Sequence, residues 1–282
     1  MIVDVLQKIG KPFIGVCSYG RSGSSLLMKF LDAAGVAVLG ALPFEDRTSQ
    51  ASLIAAVRLQ FGLAIQVPNS EQTNHQTFKG DFYRSSIPTN AETLPKLIAE
   101  YEEFLKNATS GGRIGIAEKF IGTELLQIFR AYDGRDMVKP IFLIRDPRDI
   151  FISVKEFNKK RGFDGFSASG NDASLFQSIC GFSLWQARQA EKFGALICYY
   201  EDLILRRPQS LLALLQYIGA HIISSDQVDE IWQSIGLMEG AKAHMTSNDA
   251  LTSISRWKTK EFEEFHSLFN QSKKQISQIG YL

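Results

Sequence analysis

The sequence predicts an α/β fold, a three-layer sandwich with a central, mainly parallel sheet, and three observations carry the prediction. Near-continuous apolar runs, FIGVCSY (13–19), PIFLIRD (140–146) and ALICYYED (195–202), have the character of parallel strands covered on both faces. Each run leads into a segment with helix start signals. The alternation of strand with helix is not broken by an internal repeat or a low-complexity linker, as expected of βα units that share one sheet.

The elements follow in order. FIGVCSY feeds the turn GRSG and a helix that ends at Ala34, with Ser24 and Ser25 available as caps and Gly35 as its stop. VAVLG (36–40) reads as a short strand, and residues from about 41 to 112 as a mostly helical insertion with polar loops. RIGIAEKF (113–120) is the next strand. PIFLIRD then runs to Arg145 as its last strand residue, and Asp146-Pro147 supplies a cap and a first-turn proline for RDIFISVKEFNKK. After ALICYYED, Pro208 opens QSLLALLQYIG, which Gly219 terminates. Residues from about 221 to 282 read as a helical cap, joined through the polar stretch HMTSNDALTSIS. Both insertions are expected to cover the carboxyl edge of the sheet, where open α/β folds bind ligands. The whole of 1–282 is expected to form one domain.

Composition narrows the function. Lys+Arg 31 against Asp+Glu 30 gives a net charge of +1, which argues against a bulk nucleic-acid binder. Cys17, Cys180 and Cys198 each lie in an apolar stretch, match no zinc spacing, and read as buried free thiols. The sequence contains no apolar run of about 18 residues and no leader-like h-region, so a cytoplasmic location without a membrane span is expected.

Two constellations carry the chemistry. GRSGSSLL (20–27) places a glycine–serine turn between a strand and a helix, so that backbone N–H groups and a helix N-terminus face an anion. Gly20 and Gly23 permit close approach, Ser22, Ser24 and Ser25 add hydroxyls, and Arg21 adds a charged fork suited to phosphate or sulfate. The nucleotidase pattern GxxxxGK[ST] is not matched, because no lysine follows Gly23. In LIRDPRDIFISV (143–154), Arg145 stands at a strand's carboxyl end and Ser153 eight residues later, about two turns into a helix. This is either a second anion site or a salt-bridged helix start in which Arg145 or Arg148 pairs with Asp146 or Asp149.

Together these segments resemble the sulfotransferase family. GRSGSSLL is similar to its 5′-phosphosulfate loop and RDPRDIFIS to its 3′-phosphate motif. YYEDLILRRPQSLLALLQYIG (199–219) and SISRWKTKEF (253–262) resemble two further segments, in the family's order. The resemblance implies a P-loop-NTPase-like α/β/α fold. It also implies 3′-phosphoadenosine 5′-phosphosulfate as donor, its bisphosphate as product, and no metal.

By the same resemblance Arg21 matches the family's catalytic lysine or arginine at the leaving phosphate. Gly20, Ser22, Gly23, Ser24 and Ser25 would line the 5′-phosphate, Arg145 and Ser153 the 3′-phosphate, and Arg256 and Lys258 the segment that closes over the nucleotide. Glu45, in ALPFEDR, resembles the glutamate base of bacterial and protein-tyrosine sulfotransferases, and Leu42, Pro43 and Phe44 would desolvate it and raise its pKa. His75 and His244 rank behind it as bases. Lys119 resembles a strand-end lysine of the family, although Phe120-Ile121 replaces the polar-proline pair expected there. Trp257 is expected to pack in the core, and Glu201 and Asp202 to serve structure.

The rival readings are a magnesium-dependent P-loop kinase and a non-catalytic protein that binds the bisphosphate nucleotide. A small molecule, carbohydrate or lipid is the expected acceptor, and KGDFYR (79–84) and FNKKRGFDGF (157–166) are aromatic stretches suited either to its cleft or to loop packing.

Overall fold

The computed structural model describes residues 7–38, 99, 102, 103, 105–120, 137–162, 171–221, 224–235 and 251–281. Glu45 with residues 42–44, His75, His244, the stretches 79–84 and 163–166, and most of the predicted insertion 41–112 lie outside the described residues.

Five strands among the described residues form one sheet: β1 (Phe13–Ser18), β2 (Ala37–Val38), β3 (Ile116–Phe120), β4 (Val138–Ile144) and β5 (Leu196–Tyr199). Their order is β2-β3-β1-β4-β5, and every pairing is parallel. The chain leaves β1 through helix α1 (Ser24–Ala33) toward β2. It leaves β4 through α2 (Pro147–Arg161) and α3 (Asp172–Phe193) toward β5. Connections from two adjacent strands thus depart in opposite directions, which opens a crevice at the carboxyl ends of β1 and β4.

Side-chain alternation along the strands builds the layers. Ile14, Val16, Ile141 and Leu143 pack with Leu27, Met28, Phe30 and Leu31 of α1 on one face. The same core takes in α4 (Tyr200–Ile204), α5 (Pro208–Ile218) and α6 (Ser225–Ser234). On the other face Phe142 meets Trp185 of α3 edge-on, with ring centroids 6.4 Å apart. A second core joins α2 and α3 to the C-terminal helices α7 (His266–Gln271) and α8 (Lys273–Gln278) through Phe151, Phe176, Phe262 and Phe269.

Most boundaries follow from local chemistry. The Asp146 side chain accepts from Arg148 N, Pro147 occupies the first helical position, and Gly162 closes α2 in the left-handed conformation. Pro208 opens α5 and Gly219 closes it.

Three readings need correction. Ser24 and Ser25 do not cap α1. They are its first two residues, and Gly23, at φ 90°, is the cap. Strand β4 ends at Ile144, so Arg145 is the first residue beyond it, released from the ladder and able to turn into the crevice. Strand β5 ends at Tyr199, because Tyr200–Ile204 closes into a short helix before Pro208. The second strand is borne out at Ala37–Val38, and residues 39–40 lie outside the described residues.

Candidate active site

The two predicted anion loops meet in the crevice between β1 and β4. Ladder pairing holds these strands together to their ends, with Cys17 opposite Phe142 and Ser18 opposite Leu143. Beyond Ser18 the chain turns sharply, Arg21 taking φ 69° and Gly23 φ 90°. The Gly23 carbonyl accepts the first helical bonds, from Leu26 N at 3.0 Å and Leu27 N at 3.2 Å. The N-terminus of α1 is thereby aimed over the crevice, with first-turn amides that a helix cannot satisfy internally.

Side chains from distant segments converge here. Arg21 Nε donates to Ser153 Oγ at 3.3 Å, and its guanidinium lies 4.5 Å from the centre of the Phe157 ring. Arg145 Nη1 donates to the Arg21 carbonyl at 2.8 Å and Nη2 to the Ser253 carbonyl at 2.7 Å. The Arg145 guanidinium also sits 4.5 Å over the Tyr200 ring. On the β3 side Lys119 Nζ donates to Ser25 Oγ at 3.0 Å. Two cations therefore flank the loop from opposite sides, Arg21 turned toward α2 and Lys119 toward the first turn of α1.

Arg145 is only 5% exposed, and its buried Nε has no hydrogen-bond partner among the described residues. A buried donor on a charged group left in that condition costs a few kcal/mol. The second of the two alternatives for the helix start belongs to its neighbour: Arg148 Nη2 pairs with Asp146 Oδ2 at 2.7 Å, both side chains nearly buried. Arg145 is left to face the loop.

Ser22 is fully buried, and its hydroxyl donates to the Tyr19 carbonyl at 2.5 Å, so it braces the loop from within. Arg256 pairs with Glu156 at 3.7 Å and lies over Phe262, while the Lys258 ammonium sits 5.2 Å over Trp257. It is the backbone of this segment, through Ser253, that reaches Arg145. Trp257 packs against Arg148, 3.8 Å from guanidinium to ring centre, and edge-on to Phe269.

Sequence reasoning missed three residues that assemble the crevice. Tyr200 lies beneath Gly23 and its hydroxyl shares a hydrogen bond with Ser253 Oγ at 2.8 Å. Asp149, 1% exposed, accepts from Ser255 N at 2.8 Å and Trp257 N at 3.2 Å, fastening the C-terminal segment to α2. Burial pushes the Asp149 carboxyl up to about 6, with Arg145 opposing and Asp146 adding to the shift. Ser253 is the third. The tyrosine stood in the quoted YYEDL segment; Asp149 and Ser253 carried no signal beyond their motifs. Glu201, read as structural, accepts from Asp146 N at 3.1 Å and from the Tyr281 hydroxyl. Asp202 accepts from Ser210 Oγ at 2.7 Å and pairs with Arg207.

Superposition on solved structures settles what this architecture is. The sulfotransferase domain from the curacin biosynthetic pathway matches over 96% of this chain and 98% of its own, with a TM-score of 0.55 at 18% identity. The chain has the sulfotransferase fold. The sulfotransferase domain of the Synechococcus PCC 7002 olefin synthase matches over 96% of both chains, with a TM-score of 0.50 at 13% identity. No protein-family model matches the sequence, and neither does any curated protein. The all-parallel sheet agrees with that fold. Among the described residues no group of three or more His, Cys, Asp or Glu is placed to hold a metal, and no helix is long and apolar enough to cross a membrane.

Proposed function

We propose that this protein transfers a sulfuryl group from 3′-phosphoadenosine 5′-phosphosulfate to a hydroxyl or amine of a small-molecule, carbohydrate or lipid acceptor. The observation that carries the reading is the union of the two anion loops, with Arg21 bonded to Ser153 and Arg145 bonded to the Arg21 carbonyl. A ligand anionic at both ends of one ribose suits two adjoining anion sites, and the Arg145 Nε, without a partner among the described residues, is a donor suited to it.

When bound, the donor supplies the sulfuryl group and a bisphosphate leaving group. Gly20, Gly23, Ser24 and Ser25 line the 5′ end with backbone and hydroxyl donors. Arg145 and Ser153 hold the 3′ end, and the segment containing Arg256 and Lys258 closes beside it. Ser22 supports the loop. Arg21 and Lys119 stabilise negative charge that develops on the leaving oxygen and the transferring group. Arginine does so as a permanent cation, since it does not give up its proton at ordinary pH. Glu45 takes the proton from the acceptor hydroxyl as the new sulfur–oxygen bond forms. Most of the rate enhancement then comes from alignment and charge stabilisation, as in phosphoryl transfer.

Thermal unfolding with adenosine 3′,5′-bisphosphate, compared with ATP with and without magnesium, tests the reading. A ligand at 100 times its Kd adds about 2.7 kcal/mol, roughly 5–10 °C for a domain near this size. Stabilisation by the bisphosphate without metal, lost in Arg145→Ala, is the expected result. Stabilisation only by ATP with magnesium points instead to a kinase. Binding without sulfuryl transfer to any acceptor, with Glu45→Gln indistinguishable from the parent, points to a binding protein.

A further inference from the structure

Beneath the crevice lies a residue that neither anion loop contains. Gln186 sits in the middle of α3, 1% exposed, on the face turned toward the sheet. Its Nε2 donates to the Cys17 carbonyl at 3.0 Å and to the Leu143 carbonyl at 3.3 Å. Those carbonyls belong to the penultimate residues of β1 and β4. The Cys17 thiol, pushed up to about 12 by burial and hence neutral, also hydrogen-bonds to Gln186. One primary amide thus holds the ends of the two strands from which both loops spring, three residues before Gly20 and two before Arg145.

We infer that Gln186 is a positioning residue that sets the spacing between the two anion sites. The inference rests on the proposed bisphosphate ligand. The two strands stay paired as far as Ser18 and Leu143, and their chains part just beyond, because the outgoing connections run to opposite edges of the sheet. A side chain with two N–H groups on one nitrogen is suited to bridge two carbonyls across that parting. Either loop can bind an anion alone. Only a fixed separation makes the second contact intramolecular, and that gain is lost when the geometry is wrong. Displacement of about 1 Å is enough to cost up to 10²-fold in a rigid arrangement.

The test compares three ligands, adenosine 3′,5′-bisphosphate, 5′-AMP and 3′-AMP, by calorimetry on the parent and on Gln186→Met. Methionine has similar length and no donors. Gln186→Asn, which keeps the amide but withdraws it by one methylene, serves if the methionine variant does not fold. The expected result is a loss of roughly tenfold in the preference for the bisphosphate over either monophosphate, with both monophosphate affinities held within about twofold. An unchanged preference overturns the inference, as does equal weakening of all three ligands, which marks a role in general stability alone. A parent protein that prefers neither the bisphosphate nor its fragments overturns the functional reading itself, a separate and recognisable failure.

Discussion

Gly23→Ala and Gly35→Ala form a matched pair that separates backbone strain from crowding in the glycine–serine loop. The two glycines have nearly the same backbone angle, φ 90° and φ 91°. Alanine at either position bears the cost of a left-handed conformation, about 1–2 kcal/mol. A Cβ at Gly35 meets nothing within 4 Å. A Cβ at Gly23 falls 2.3 Å from Cδ2 and Cε2 of Tyr200. That ring cannot yield cheaply, since its hydroxyl is bonded to Ser253 and Arg145 lies on its face. Overpacking of this kind adds typically 1–3 kcal/mol, so Gly23→Ala should lose about 2–5 kcal/mol in all. At roughly 2–4 °C per kcal/mol for a domain near this size, both variants melt below the parent and Gly23→Ala clearly below Gly35→Ala. Denaturant unfolding gives the free energies, and bisphosphate binding, retained in Gly35→Ala, should be lost in Gly23→Ala. Equal melting temperatures for the two variants would show that Tyr200 does not support the loop as described.

Two further outcomes are expected. Because Asp149 titrates at about 6 in the folded protein against 3.8 for an ordinary aspartate, folding favours its protonated form. Its contribution is fully present below pH 3.8 and is lost as pH rises through about 6, on the order of 3 kcal/mol across the window. Asp149→Asn should remove that dependence, read as the difference in slope between variant and parent in urea titrations from about pH 4.5 to 7.5; identical slopes would contradict the burial argument. Lys119→Met, which removes the contact to Ser25, should cut turnover by roughly 10²–10³-fold while leaving bisphosphate affinity within tenfold. A loss confined to affinity would place Lys119 in binding alone.

The fold and the site were unequally legible in the sequence. Strand-to-helix junctions stood out because their chemistry is local: Asp146 caps its own helix, Pro147 and Pro208 fix first turns, and Gly219 ends one. Motif spacing likewise singled out Arg21, Arg145 and Ser153, which the fold brings together. The direction of the Arg21 side chain was not readable, since it is set by Phe157, more than a hundred residues away in the chain. Asp149 looked like an ordinary first-turn acid on α2, and its role emerges only when the 255–257 backbone folds against it. Gln186 was quieter still, a polar residue within a long amphipathic helix whose partners lie on two separate strands. Polar groups that act across the fold leave no periodicity to read, whereas caps and glycine turns do.

The three free cysteines give the molecule a set of internal clocks. Cys17 lies under the glycine–serine loop, Cys180 within α3 and Cys198 on β5, all buried with thiols pushed up to about 12. So little thiolate is present and so little surface is offered that a thiol reagent must wait for each region to open. The order in which the three are modified, with and without nucleotide, would time the separate openings of loop, helix and edge strand without a single introduced label.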